Sequence, residues 1–273
     1  MLLLNQARPD GTFFEVLPPP AWGPEGYDLI FEPDGHAYSI VDPRDATRRI
    51  APPSVTQVIG HFVEPNKWFK PAHLTAGTER HLACELLDLG GQVEADRVAL
   101  YSDKEKIPTR SVALNDNTRA AIDGWSSFLR DFGVVQQVAI EEPVCAVYDY
   151  PESGPVCFAG TVDRVVYFDD GMMGLIDIKG PAKLPHYLLQ LAAYESAWQL
   201  GFGRCSFSGR GVEPRPLSFV DRIANVHLRK DGGYEVEQWD VADPAAVQAL
   251  ETWRGMLSVY YNRGQFGLTR VAR

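Results

Sequence analysis

Apolar residues recur along this chain at two spacings, and the changes of spacing mark its elements. Gly160-Thr161-Val162-Asp163-Arg164-Val165-Val166 and Leu175-Ile176-Asp177-Ile178-Lys179-Gly180 are apolar, β-branched and bounded by Gly or Asp, and predict two strands. Asp169-Asp170-Gly171 supplies the turn between them. Helical spacing takes over elsewhere. Residues 75 to 90 predict a helix with Leu82, Leu86 and Leu89 inward, ended by Gly90-Gly91. His81, Glu85 and Asp88 share another stripe of that helix. Residues 116 to 131 predict an amphipathic helix with Ile122, Trp125, Phe128 and Leu129 inward. Leu184 to Leu200 predicts a third helix, closed by Gly201, on which Gln190 and Tyr194 share a face. Ser54 caps a short helix to His61, and Asp243-Pro244 opens a last helix to about residue 261. The apolar stripe of that last helix is Val247, Leu250, Trp253 and Leu257.

The rest reads as strands and connections. Phe13 to Leu17 is stopped by Pro18-Pro19-Pro20, and residues 27 to 31 and 36 to 41 flank the turn Pro33-Asp34-Gly35. These predict an N-terminal β-meander, residues 1–60, packed on a main domain of residues 61–273. Val134 to Val147 alternates as a strand and carries Glu141 and Glu142. Residues 222 to 228 and 234 to 239 flank Lys230-Asp231-Gly232-Gly233 as a hairpin. Residues 92 to 115 are charged and irregular and predict a mobile loop. Residues 203 to 218, rich in Gly, Pro and Arg, predict a loop that serves either as a linker or as a phosphate contact. The class is α/β, with an N-terminal β-meander and a C-terminal hairpin plus helix.

Candidate chemistry sits on the two central strands. In a strand, residues two apart face one side, about 6.6 Å from each other. Asp177 and Lys179 therefore project together, with Ile176 and Ile178 turned to the core. A hairpin brings Asp163 beside Asp177, and two close carboxylates are stabilised by a divalent cation. The plainer alternative is a structural ion pair between Asp177 and Lys179.

Length and composition narrow the picture. The chain has 273 residues, 45% of them hydrophobic, enough for one large domain. No window reaches the ~20 apolar residues of a membrane span. Met1-Leu2-Leu3-Leu4 is too short for a secretory signal, so a cytoplasmic protein is expected. Cys84, Cys145, Cys157 and Cys205 show no metal or redox spacing and read as reduced core thiols. The net charge of −10 gives no overall basic footprint of the kind phosphate binding usually leaves, although a metal site concentrates carboxylates. Basic residues cluster at Arg44, Arg48 and Arg49, at Lys67 and Lys70, at Lys104, Lys106 and Arg110, and at Arg204, Arg210 and Arg215. Each cluster reads as ordinary solvated surface or, for Arg204, Arg210, Arg215, Lys104 and Lys106, as a contact to a phosphate backbone.

Four pieces in order resemble the PD-(D/E)xK nuclease superfamily, specifically its RecB-like, phage-type exonuclease branch. They are Gly77-Thr78-Glu79-Arg80-His81, Gly160-Thr161-Val162-Asp163, Ile176-Asp177-Ile178-Lys179 and Gln190-Leu191-Ala192-Ala193-Tyr194. Val162 stands where the superfamily often has Pro, and Asp177 where it often has Glu; both are shared by RecB-like members. The resemblance implies a mixed central sheet flanked by helices, a restriction-endonuclease-like core. It implies hydrolysis of DNA phosphodiesters with one or two Mg²⁺ or Mn²⁺ ions. His81, Asp163, Asp177 and the Ile178 carbonyl would be ligands, with Glu141 or Glu142 as a further acid. Lys179 would hold or deprotonate the attacking water, and Gln190 and Tyr194 would orient Lys179 or the phosphate. CRISPR-associated relatives with an iron–sulfur cluster use a late cysteine run that is missing here, so no such cluster is expected. An exonuclease of phage origin, acting in the host cytoplasm in recombination or end processing, is the leading expectation. A single-strand annealing protein or a helicase is the partner the resemblance suggests. A structure-selective endonuclease, or an inactive nucleic-acid-binding protein on the same fold, are the alternatives.

Overall fold

A computed structural model describes residues 28–32, 37–42, 45–63, 71–102, 108–150, 154–200, 204–207 and 219–262. In chain order the elements begin with strands β1 (Asp28–Glu32), β2 (Ala37–Asp42) and β3 (Asp45–Ile50). Helices α1 (Val55–Phe62) and α2 (Pro71–Asp88) follow, then short strands β4 (Gln92–Val93), β5 (Arg97–Tyr101) and β6 (Pro108–Ala113). Next come α3 (Asp116–Asp131), the long strands β7 (Val134–Tyr150) and β8 (Gly154–Phe168), β9 (Met173–Lys179) and α4 (Tyr187–Leu200). The chain closes with β10 (Arg204–Phe207), β11 (Arg222–Leu228), β12 (Tyr234–Asp240) and α5 (Pro244–Asn262). The result is a mixed α/β fold.

The central sheet runs β12-β11-β9-β8-β7. Only the β9–β11 pair is parallel; the other neighbours are antiparallel. The C-terminal hairpin thus belongs to the main sheet. Alternation along β9 divides two cores. Leu175, with Val165 and Ile223, packs under Leu191 of α4 and Trp253 of α5, with α1 contributing Val55 and Val58. Ile176 and Ile178, with Val226 and Leu228, pack on Trp125 and Phe128 of α3 and Cys84 of α2. A sheet covered on both sides explains why β9 reads as a nearly continuous apolar run.

The helix starts follow from their caps. Ser54 accepts from the Gln57 N–H, while Gln57 accepts from the Ser54 N–H, a reciprocal cap for α1. Asn115 caps α3 through the N–H groups of Asn117 and Thr118. A separate sheet, β10-β1-β2-β3, joins the N-terminal meander to a strand far along the chain, with β10 parallel to β1.

Several expectations need correction. Residues 92 to 115 hold the sheet β4-β5-β6, not an irregular loop. Its strands bury Val98 and Val112 against Ala83 and Leu86 of α2, but their outer positions are polar, so no period stands out. Part of the Gly/Pro/Arg-rich stretch is strand β10. Leu89 is 43% exposed because α2 ends at Asp88 and Leu89 falls into the turn. Val247 is 47% exposed; the buried stripe of α5 is Ala246, Ala249, Trp253 and Leu257, two alanines having replaced larger residues as the signal. Cys84, Cys145 and Cys157 are free and buried. No helix among the described residues is long and apolar enough to cross a membrane. Residues 13 to 17, and the side chains of Arg44, Arg48, Arg49, Lys67, Lys70 and Cys205, lie outside the described part.

Candidate metal centre

The centre forms where the central sheet forks. β8 and β9 are paired from Tyr167 opposite Met173 to Arg164 opposite Ile176. Toward its start β8 stays with β7, and it leaves β9 there. Asp163 is the first residue past the fork. The Ile178 N–H, turned into the gap, donates to Asp163 Oδ2 at 2.6 Å. The carboxylate thereby replaces the ladder carbonyl that a continued pairing would have provided. Asp163 is 7% and Asp177 1% exposed, so both acids are fixed within the protein.

Two further ligand groups reach Asp163. The register of Ile140 with Arg164 and of Glu142 with Val162 sets Glu141 opposite Asp163. Glu141 has φ +48°, the left-handed region, within an otherwise extended strand. Helix α2 presents His81, whose Nδ1 lies 3.5 Å from Asp163 Oδ2 and 3.8 Å from Glu141 Oε1. Ligand atoms of His81, Glu141 and Asp163 all lie within 4.8 Å of one another, a group able to hold a metal ion. Of the two adjacent acids on β7, Glu141 is the one in this cluster. Two carboxylates and an imidazole are donors that divalent metal ions accept.

Electrostatics reflect the crowding. Burial disfavours the His81 imidazolium, but Asp163 and Glu141 outweigh it and raise its pKa to about 10. Burial alone would push Asp163 up; His81, Lys179 and the Ile178 N–H instead bring it down to about 2. Asp177 is raised to about 7, chiefly by burial, with Lys179 opposing. The two neighbouring carboxylates are thus shifted in opposite directions, Asp163 by its cationic partners and Asp177 by burial.

Asp177 and Lys179 form a close ion pair on β9. Lys179 Nζ also donates to Gln190 Oε1 at 3.0 Å, and Gln190 Nε2 donates to the Tyr194 hydroxyl at 3.0 Å. One turn of α4 thus carries a chain of hydrogen bonds to Lys179, and the Tyr187 ring lies 4.6 Å from the ammonium. The Gly160-Thr161 pair serves this packing. A Cβ at Gly160 would stand 2.5 Å from Tyr194 Cε1. Thr161 Oγ1 hydrogen-bonds the Tyr38 hydroxyl at 2.8 Å, tying the outer sheet to β8.

The expected site residues His81, Asp163, Asp177, Lys179, Gln190 and Tyr194 thus converge, and Asp177 faces Lys179 while His81, Glu141 and Asp163 cluster. Ile178, the expected carbonyl ligand, meets Asp163 through its N–H. Lys104, Lys106, Arg210, Arg215 and the Arg204 side chain lie outside the described residues. Arg110 grips Glu85 through both terminal nitrogens, at 2.6 and 2.7 Å.

Three polar groups around the site escaped the sequence reading. Arg164 is fully buried and contacts Asp88 and Glu141. Asn225 and His227, also buried, lie on β11 opposite Asp177 and Lys179. Both ring nitrogens of His227 meet acceptors, the Gly180 carbonyl at 3.0 Å and Glu237 at 2.9 Å. The signal was present: in Arg222-Ile223-Ala224-Asn225-Val226-His227-Leu228, polar residues two apart in an apolar strand share one face.

No protein-family model matches the chain, and no curated protein matches it. Among solved structures it is similar to the crystal structure of SSO0001, with a TM-score of 0.29 and 13% identity, over 49% of this chain and 54% of that one. The chain spans about half the length of that protein, and a likeness this slight leaves its own geometry as the guide to function.

Proposed function

We propose that this protein is a divalent-metal-dependent DNA exonuclease of the PD-(D/E)xK type, acting in recombination or DNA end processing. The observation that carries the reading is the juxtaposition at the β8–β9 fork. An acid–lysine pair, Asp177 with Lys179, lies beside the cluster of His81, Glu141 and Asp163. A structural ion pair alone needs neither the neighbouring histidine nor two more acids, one of them buried.

His81, Glu141 and Asp163 would hold Mg²⁺ or Mn²⁺, with Asp177 as a further acid at the same fork. The metal supplies Lewis acidity, polarising the phosphoryl group and offsetting charge on the leaving oxygen. Lys179 holds the attacking water and, as a cation, offsets charge at the transition state. Gln190 fixes the position of Lys179 through its carbonyl oxygen, and Tyr194 fixes Gln190. Asp177 keeps the ammonium close to the reacting centre. Burial of these groups on strands and on α4 makes the constellation rigid.

The test is digestion of end-labelled linear DNA and covalently closed circles with Mn²⁺, Mg²⁺ or EDTA, with Lys179→Ala alongside. Metal-dependent loss of the linear DNA alone, abolished by the substitution, is expected. Cut circles would make the enzyme an endonuclease. Intact DNA in every lane, with binding retained in a gel shift, would overturn the catalytic reading.

A further inference from the structure

Arg164 follows the site acid Asp163 directly, yet its side chain turns to the other core and is wholly buried. Its Nε donates to Asp88 Oδ2 at 2.6 Å. Its Nη1 donates to Glu141 Oε1 at 2.9 Å and to the carbonyl of Asp163 at 2.6 Å. Asp88 is itself anchored: its Oδ1 accepts from Trp125 Nε1 at 2.9 Å and from Gln137 Nε2 at 2.7 Å. Nη2 has no hydrogen-bond partner among the described residues, and the guanidinium lies over the Trp125 ring, 5.7 Å from its centroid.

The elements joined in this way are the ones that carry the cluster. Asp88 stands seven residues after His81 on α2, two turns along and on the same face. Glu141 belongs to β7, and Asp163 to β8. One guanidinium therefore ties together α2, β7 and β8, each of which brings one ligand group. It also explains how Glu141 keeps a left-handed backbone within a strand. A strained conformation of a non-glycine residue persists where its surroundings hold it, and Arg164 grips the Glu141 carboxylate at the oxygen that faces His81. An arginine suits this task because its planar fork fixes direction as well as charge.

We infer that Arg164, anchored by Asp88, is the positioning residue of the metal centre: it sets the spacing of Glu141, Asp163 and His81 and so determines metal affinity. The inference rests on the metal reading of that cluster. Arg164 touches neither metal nor substrate; it acts through the ligands. Outer partners of ligand residues typically change metal affinity by about 10- to 100-fold.

The test is Mn²⁺ titration by calorimetry of the full chain, with far-UV circular dichroism confirming the fold. Arg164→Lys keeps the charge but loses the fork. Asp88→Asn/Arg164→Gln replaces the buried ion pair with a neutral amide pair, and the amide oxygen at position 88 still accepts from Trp125 and Gln137. The double variant keeps the protein folded should the single one fail to fold. An affinity loss of about 10- to 100-fold in folded variants is expected. A folded variant that binds Mn²⁺ as tightly as wild type would reduce Arg164 to a structural role and overturn the inference. Wild-type protein that takes up no Mn²⁺ would instead overturn the metal reading on which it rests.

Discussion

Gly160→Ala tests how the site is packed. The added Cβ would lie 2.5 Å from Tyr194 Cε1, 3.2 Å from Cδ1 and 3.3 Å from Val55 Cγ2. Carbon atoms prefer about 3.5–4.0 Å, so the nearest overlap is about 1 Å. Neither neighbour has room to give: Val55 is 0% and Tyr194 6% exposed. Tyr194 is also held through its hydroxyl by Gln190, and Gln190 by Lys179. Gly160 is not in the left-handed region, so space and not backbone strain is the constraint. Overpacking of this kind costs about 1–3 kcal/mol. The stiffer unfolded chain returns about 0.4–1 kcal/mol. A net loss of about 1–2 kcal/mol lowers Tm by about 2–8 °C. The same displacement moves Gln190 away from Lys179, so the proposed nuclease activity is expected to fall even where the protein is folded. The assay is urea unfolding of wild type, Gly160→Ala, Tyr194→Leu and the double variant. The smaller leucine accepts the Cβ, so the cycle shows a coupling of about 1 kcal/mol or more. Gly160→Ala as stable as wild type, or a cycle without coupling, would refute the steric account of this glycine.

Three further outcomes follow from the same geometry. Gln190→Leu leaves the cluster of His81, Glu141 and Asp163 intact and is expected to bind Mn²⁺ normally while losing about 100-fold in kcat, because Lys179 is no longer oriented; single-turnover digestion checks this. His81 is protonated below about 10 when metal-free, and a metal requires the neutral imidazole. Binding therefore releases a proton at neutral pH and tightens as pH rises toward that value, which calorimetry in buffers of different ionisation enthalpy measures; uptake of metal without proton release would contradict the shift. Glu195 is raised from 4.5 to about 7, chiefly by burial against a smaller effect of Arg254. With the folded pKa above the unfolded one, its contribution to stability is full below pH 4.5 and is lost as pH rises toward about 7. Glu195→Gln should flatten the fall in Tm across that window, and an unchanged slope would count against the burial effect.

Much of the site was legible because it lies on regular elements. The period of two along β9 placed Asp177 with Lys179, and the period of 3.6 along α4 placed Gln190 with Tyr194. Caps gave the starts of α1 and α5 to the residue, through Ser54 and Asp243-Pro244. What was hidden depends on departures from regularity. The choice between Glu141 and Glu142 turns on a single left-handed residue in a strand, which glutamate does not advertise. His81, Glu85 and Asp88 read as one stripe, but Glu85 pairs with Arg110 and Asp88 with Arg164, partners 25 and 76 residues away. Long-range ion pairs of this kind leave no local spacing. The β4-β5-β6 sheet was missed because strands this short bury too few side chains to show a period.

The most direct measurement is X-ray diffraction from crystals soaked in Mn²⁺, recorded at the manganese absorption edge. A metal centre at the β8–β9 fork predicts an anomalous peak within coordination distance of His81, Glu141 and Asp163, lost in Asp163→Asn crystals. Full Mn²⁺ exposure with no peak at the fork, or a peak that survives Asp163→Asn unchanged, would contradict it.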